Sequence, residues 1–347
     1  MKNDKTKAIY ANISVLRIIA TLAVVFLHTC STLISPLFTH FQLSEEMYAF
    51  YFNGRECMRW SVPLFIMITG ALLLKKGKKT SIQDCLKKYV YRMAVVLLLF
   101  GVPMAWFTRV YYAGSFSWEI VWTGFTDVLT MHSWDHLWYV YSLMAVYLIL
   151  PVLQIFVNHV SEEEERYILI VLFIVNFLIP DIYLTLRNYV NPVLPFGYWI
   201  FYLLAGQYLY EKNEKRTLNK PLVLVAGLIG ILMLMPKMAS LDIYKERIIL
   251  YDNPYLACVA IFIFVSCLQL HVNDSKKILW TLDRLCFGVY LVHPLFIHFA
   301  YSYLKWTPVT GNGDYHGLTF LFFLVFSLLS FAMAWIFKKI PGLNRIV

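Results

Sequence analysis

The sequence predicts an all-α fold: a polytopic membrane protein, a bundle of about ten transmembrane helices with both termini cytoplasmic. Three observations carry that reading. Sixty per cent of the 347 residues are hydrophobic and only 15% are charged, with a mean hydropathy of +0.62, more apolar surface than a soluble fold can hide. The apolar residues are gathered into runs of membrane-crossing length. The basic residues fall in short clusters between alternate runs, which is the signature of a cytoplasmic loop.

The first run, 12–34, reads NISVLRIIATLAVVFLHTCSTLI. The basic leader MKNDKTKAIY precedes it, but the run is too long for a signal core and lacks a small-residue exit, so it is expected to stay as the first span. Further runs lie at 58–74, 88–112, 136–157, 166–182, 196–211, 220–236, 254–271, 284–303 and 317–338. The stretch 113–135 is aromatic and broken by polar residues, and reads as a loop with a short interfacial helix. No low-complexity linker and no internal repeat interrupts the series, so one membrane domain, 1–347, is expected. With the amino terminus inside, 22 of the 30 Lys and Arg residues fall on cytoplasmic segments or span ends. The acidic run Glu162–Glu165 lies in a short cytoplasmic turn and reads as a solvated face. Six cysteines show no metal spacing and read as packing residues without disulfides. The net charge of +9 belongs with anionic lipid and topology rather than with nucleic acid. The expected location is the cytoplasmic (inner) membrane, multi-pass.

Arg17 and His28 do not belong in hydrocarbon. They are eleven residues apart, about 1100° of helix, so both lie on one face with a rise of about 16 Å between them. Ionisable groups inside a span usually face a polar cavity. Arg17 alone also fits a side chain that snorkels to headgroups, and His28 a neutral core histidine; the shared face weighs against both alternatives holding together. At the start of the third span, KKYVYR places Lys87, Lys88 and Arg92 at the cytoplasmic level of Arg17. Such a cluster can hold a phosphorylated ligand, although lipid headgroups serve the lysines equally well.

On the outer side, SWDHLW brings His132, Asp135, His136 and Trp138 to the membrane surface. The ninth span carries His293 at mid-depth and His298 one turn further out, and Arg59 opens the second span. His132, His298 and Asp135 read as interfacial hydrogen bonders. His28, His136 and His293 are the candidates for a common polar cavity, because an imidazole suits proton abstraction from a hydroxyl near neutral pH. No two histidines have ligand spacing on one helix with acidic support, so no metal is expected. Trp106, Tyr111, Tyr112, Trp118, Trp122 and Trp134 read as an interfacial aromatic belt, or else as stacking surfaces for sugar rings.

Four stretches, in order, resemble the integral-membrane acyltransferase 3 family: Arg17 with His28, then RWSVPLFIMITGALL, then DHLWYVYSLMAVYLILP, then GVYLVHPLFIH. The resemblance covers essentially the whole chain. Some family members carry Arg-x-Arg at the start of the third span; here KKYVYR leaves Arg92 as the single equivalent. The resemblance implies acyl transfer from cytoplasmic acetyl-coenzyme A to a hydroxyl of a cell-envelope glycan or lipid-linked saccharide on the outer side. It implies phosphate contacts from Arg17, Arg92 and Lys88, and His28 as general base or as the carrier of an acyl-histidine relay. His136 and His293 would complete the catalytic cavity, and Arg59, Trp138 and Tyr290 would bind substrate. A succinyl donor, or a polysaccharide transporter or polymerase that moves no acyl group, stays open as an alternative. The transporter reading lacks an inverted repeat with matching Gly/Pro-broken spans.

Overall fold

The computed structural model describes residues 2–35, 43–185, 197–239, 250–270, 272, 277–309 and 314–347. Among the described residues every regular element is helical. Helix α1 (Lys2–Leu33) is unbroken for 32 residues; its sequence has neither Pro nor Gly, and it stops just before Ser35, whose successor Pro36 disfavours helix at the residue ahead of it. Helix α2 (Glu45–Cys57) starts on Ser44, whose hydroxyl accepts from the Met47 backbone N–H, with Glu45 and Glu46 in the first turn. Helix α3 (Ser61–Leu73) follows after a three-residue break. The second span therefore begins at Glu45, not at 58 as the hydropathy suggests, because α2 is too polar to register as an apolar run.

Helix α4 (Ile82–Tyr111) contains π turns at Cys85–Val90 and Leu97–Gly101. Helix α5 (Trp118–Leu129), capped by Ser117, is the short helix expected within 113–135. Helix α6 (Trp138–His159) is followed by α7 (Glu162–Phe173), which continues through a π turn at Ile174–Leu178 into Ile179–Thr185. Then come α8 (Gly197–Glu214), α9 (Lys220–Ala239), α10 (Pro254–Leu268), α11 (Lys277–His298), α12 (Tyr315–Phe337) and the terminal turn α13 (Leu343–Ile346).

Six helical stretches are long and apolar enough to cross a membrane by length and composition: Tyr10–Leu33, Glu45–Leu73, Ile82–Tyr111, Asp135–His159, Lys277–Tyr303 and Tyr315–Phe337. The other four expected spans fall on α7, α8, α9 and α10. Of these, Lys220–Leu234 and Pro254–Leu268 are apolar but short. The chain is a multi-pass membrane protein.

The helices form two compact units. The first comprises residues 1–75 and 160–335, the second 76–159 and 336–347. In the first, α1 packs against α2, α3, α10 and α11, and α8 packs on α3. The α3–α8 crossing is close: a Cβ on Gly70 would stand 1.9 Å from the Leu203 carbonyl oxygen, and one on Gly206 2.1 Å from that of Met67. Small residues permit such backbone approach between membrane helices. Most of α12 shows its apolar side chains outward, with Phe320, Leu321 and Leu328 exposed, as lipid contact requires.

The acidic run at the start of α7 is more than a solvated face. Ser161 and Glu164 form a capping box, Glu162 pairs with Lys212 of α8, and Glu165 is buried. In the second unit, Gln154 of α6 accepts from the Thr80 backbone N–H at 2.7 Å and donates to its hydroxyl, tying α6 to the entry of α4. All six cysteines are thiols; Cys57 is exposed rather than packed.

Candidate active site

The first unit holds five of the expected site residues, Arg17, His28, Arg59, Tyr290 and His293. His28 on α1 and His293 on α11 face one another, with His28 Nδ1 3.1 Å from His293 Nε2 and ring centroids 4.9 Å apart. Each ring is also anchored to its own helix. His28 Nδ1 lies 3.0 Å from the Val24 carbonyl oxygen and His293 Nδ1 3.1 Å from that of Val289. A carbonyl oxygen only accepts, so in the neutral rings each Nδ1 carries the proton. His293 Nε2 then holds a lone pair and accepts from His28, whose Nδ1–H is shared between Val24 and His293. The lone pair of His28 is consequently on Nε2. Two helices thus fix one tautomer, and the basic nitrogen it defines is the one turned away from the Val24 carbonyl.

Eleven residues back on α1 and ten back on α11, Arg17 Nη1 donates to Asp283. Two contacts with matching order make α1 and α11 parallel, and at 1.5 Å per residue the pairs are about 15 Å apart along the axes. The shared face deduced from spacing therefore has a physical counterpart: both residues look onto the same neighbouring helix. Asp283 was missed in the sequence. Its signal was an acidic residue inside an apolar helix, which deserves the same suspicion as a buried base.

Arg59 occupies the break between α2 and α3. Pro63 cannot donate to the Arg59 carbonyl, so that oxygen is taken by the Val62 N–H at 3.3 Å, and the chain passes through tight three-residue turns from Arg55 to Val62. Glu56, fully buried, pairs with Arg59 Nε at 2.8 Å and accepts from Arg55 Nε at 2.7 Å. The Arg59 guanidinium lies 5.7 Å from the ring centroid of Tyr251. Tyr290, buried one turn before His293, has its ring 6.1 Å from it. His298, expected to be an interfacial hydrogen bonder, is half-buried at the end of α11. Pro294 removes one rung of the α11 ladder beside His293, and a π turn, Phe299–Tyr303, follows His298.

The remaining expected site residues belong to the second unit. Arg92 on α4 donates from Nε to the Ile346 carbonyl at 2.8 Å. Lys88 is exposed and pairs with Asp84 at 2.8 Å. His136 is buried at the entry of α6, with Trp134 6.1 Å away, and Trp138 packs beside Tyr139. His132 and Asp135 are exposed. Among the described residues no group of three or more His, Cys, Asp or Glu side chains could hold a metal ion.

A family model described as an acyltransferase domain matches residues 10–339. No curated protein and no solved structure matches the chain.

Proposed function

The chain belongs to the acyltransferase family whose domain runs from residue 10 to residue 339, and from that premise we propose that it is an O-acetyltransferase. The proposed donor is acetyl-coenzyme A from the cytoplasm, and the acceptor is a hydroxyl of a cell-envelope or surface glycan on the outer side. The observation that carries the reading is the His28–His293 pair, which fixes a lone pair on His28 Nε2. In this reading His28 Nε2 takes the proton of the acceptor hydroxyl as its oxygen attacks the thioester carbonyl carbon. The tetrahedral oxyanion collapses, the carbon–sulfur bond breaks, and the imidazolium returns its proton to the departing thiolate. Arg59, in the break between α2 and α3, is the cation assigned to the oxyanion. Arg17, oriented by Asp283 at the other end of the α1–α11 pair, meets the phosphate end of the donor, and the pantetheine arm spans the interval between them.

Purified protein in detergent tests this by release of free coenzyme A thiol from acetyl-coenzyme A, with succinyl-coenzyme A as the competing donor. The wild-type protein is expected to consume the acetyl thioester slowly even without acceptor. His28→Ala is expected to lower that rate about 10²- to 10⁴-fold, the range of a lost general base, with an unchanged melting temperature. Equal rates in the two proteins would refute the role of His28, and a preference for succinyl-coenzyme A would refute the acetyl donor.

A further inference from the structure

The loop between α3 and α4 reads KKGKKTS, with four lysines in the five residues from Lys75 to Lys79 and no acid before Asp84. Positive charge is expected where a chain turns at the cytoplasmic face, but that rule counts lysines and asks nothing of their arrangement. A loop that serves topology alone can stay loose. This one is clamped.

The clamp is a pair of side-chain amides on α6, Gln154 and Asn158, one helical turn apart and so on one face. The Gly77 backbone N–H donates to Asn158 Oδ1 at 2.6 Å, and Asn158 Nδ2 donates to the Lys78 carbonyl at 3.1 Å. The Thr80 backbone N–H donates to Gln154 Oε1 at 2.7 Å, and Gln154 Nε2 donates to the Thr80 hydroxyl at 3.0 Å. Gln154 is buried, so its amide relies on such bonds to offset desolvation. Gly77 takes φ +83°, in the left-handed region that glycine enters without steric penalty. Ser81 accepts from the Asp84 backbone N–H to start α4, so the turn and its exit are both fixed. Asp84 itself is paired with Lys88. Lys76, Lys78 and Lys79 leave the clamped segment and are exposed. Ordering a loop costs conformational entropy. Once that cost is met in folding, an arriving anion finds the three ammonium groups on a backbone already in place.

We propose that residues 76–80 form a binding site for a phosphate group, contacted by Lys76, Lys78 and Lys79, with Gln154 and Asn158 as the positioning residues that hold the loop. Each ammonium is a compact point charge with three donors, suited to the acceptor oxygens of a phosphate. The loop joins two candidate spans, Glu45–Leu73 and Ile82–Tyr111, and therefore stands at a bilayer surface. Two sources of phosphate meet it there: the headgroup of an anionic phospholipid, and a soluble phosphate ester. The inference stands apart from the acyl-transfer reading, because the unit that carries residues 76–80 contains neither His28 nor His293.

The test measures binding of dioctanoyl phosphatidic acid, dioctanoyl phosphatidylcholine and coenzyme A to the full-length protein in detergent at physiological ionic strength, with melting temperature recorded for each variant. The wild-type protein is expected to bind phosphatidic acid or coenzyme A more tightly than phosphatidylcholine. Replacing Lys76, Lys78 and Lys79 together by Gln is expected to weaken that binding about 10²-fold, the combined effect of three lysines at a charged surface. Should the triple variant fail to insert, Lys78→Gln and Lys79→Gln carry the same test singly, at about fivefold each. Asn158→Ala leaves every charge in place and is expected to weaken binding at least about threefold through the loosened loop. A loss confined to phosphatidic acid assigns the site to a lipid headgroup, and a loss confined to coenzyme A assigns it to a soluble ester. Affinities for both probes that the lysine substitutions leave unchanged would overturn the site. An Asn158→Ala protein that binds as tightly as the wild type would overturn the positioning role of α6.

Discussion

His28 owes its proposed role to a tautomer, and the tautomer is set by its neighbours. The Val24 carbonyl and His293 Nε2 both require a proton on Nδ1, so the base depends on a ring contributed by another helix. His293→Phe keeps an aromatic ring of similar size and removes the acceptor. It is expected to lower kcat at least about tenfold while leaving KM for the donor unchanged, because a mis-set imidazole loses proton transfer and not binding. Steady-state kinetics on the purified variant checks this, and an unchanged kcat would detach His293 from the chemistry. At this scale the sequence singled out the residues of α1 and grouped His293 with His28, but was silent about the partner of Arg17. The eleven-residue spacing put Arg17 and His28 on one face. It gave no sign that Asp283 is what Arg17 meets, since pairing depends on how α11 is rotated. Glu56 was hidden for a related reason: beside Arg55 in GREC it reads as one half of an exposed ion pair, and only the fold buries it.

Among the elements, α1 and α11 form the frame, and the α3–α8 crossing fixes the break that carries Arg59. Gly206 meets the Met67 backbone so closely that any side chain forces the helices apart. Gly206→Leu is expected to destabilise the fold by about 3 kcal/mol or more, the upper range of overpacking, read as a fall in melting temperature in detergent. The start of α7 is a second lever, lying outside the apolar part of that segment. The Ser161 backbone and hydroxyl hold the Glu164 carboxyl below the usual carboxylate range, and Lys212 does the same for Glu162. Groups with depressed values stabilise the fold above their unfolded values, about 4.3 for Glu, and lose that contribution as pH falls through the folded values. The melting temperature is therefore expected to drop on acidification through that window, and by less in Glu164→Gln; an identical acid dependence in both proteins would contradict the assignment. Long apolar elements were legible from hydropathy alone. The α2 start was not, because Glu45–Cys57 mixes acids and aromatics; the runs that became α7 to α10 were legible as apolar stretches, though none of them counts as a simple span by length and composition.

For the whole molecule, composition already fixed the class, and the family match over residues 10–339 supports the acyltransferase identity that four short motifs suggested. What no linear reading supplies is the contact between α1 and α11, which lines a base at one end and an arginine–aspartate pair at the other along about 15 Å of helix. The proposal that acyl groups travel this length predicts a sided reaction. Its most direct measurement uses sealed proteoliposomes of known orientation, with radiolabelled acetyl-coenzyme A supplied at the Arg17 end and a saccharide acceptor confined to the His28 end. Wild-type protein should place label on the acceptor across the bilayer, and His28→Ala should place none. Label transferred only when donor and acceptor share one side, or transferred equally well by His28→Ala, would contradict the account.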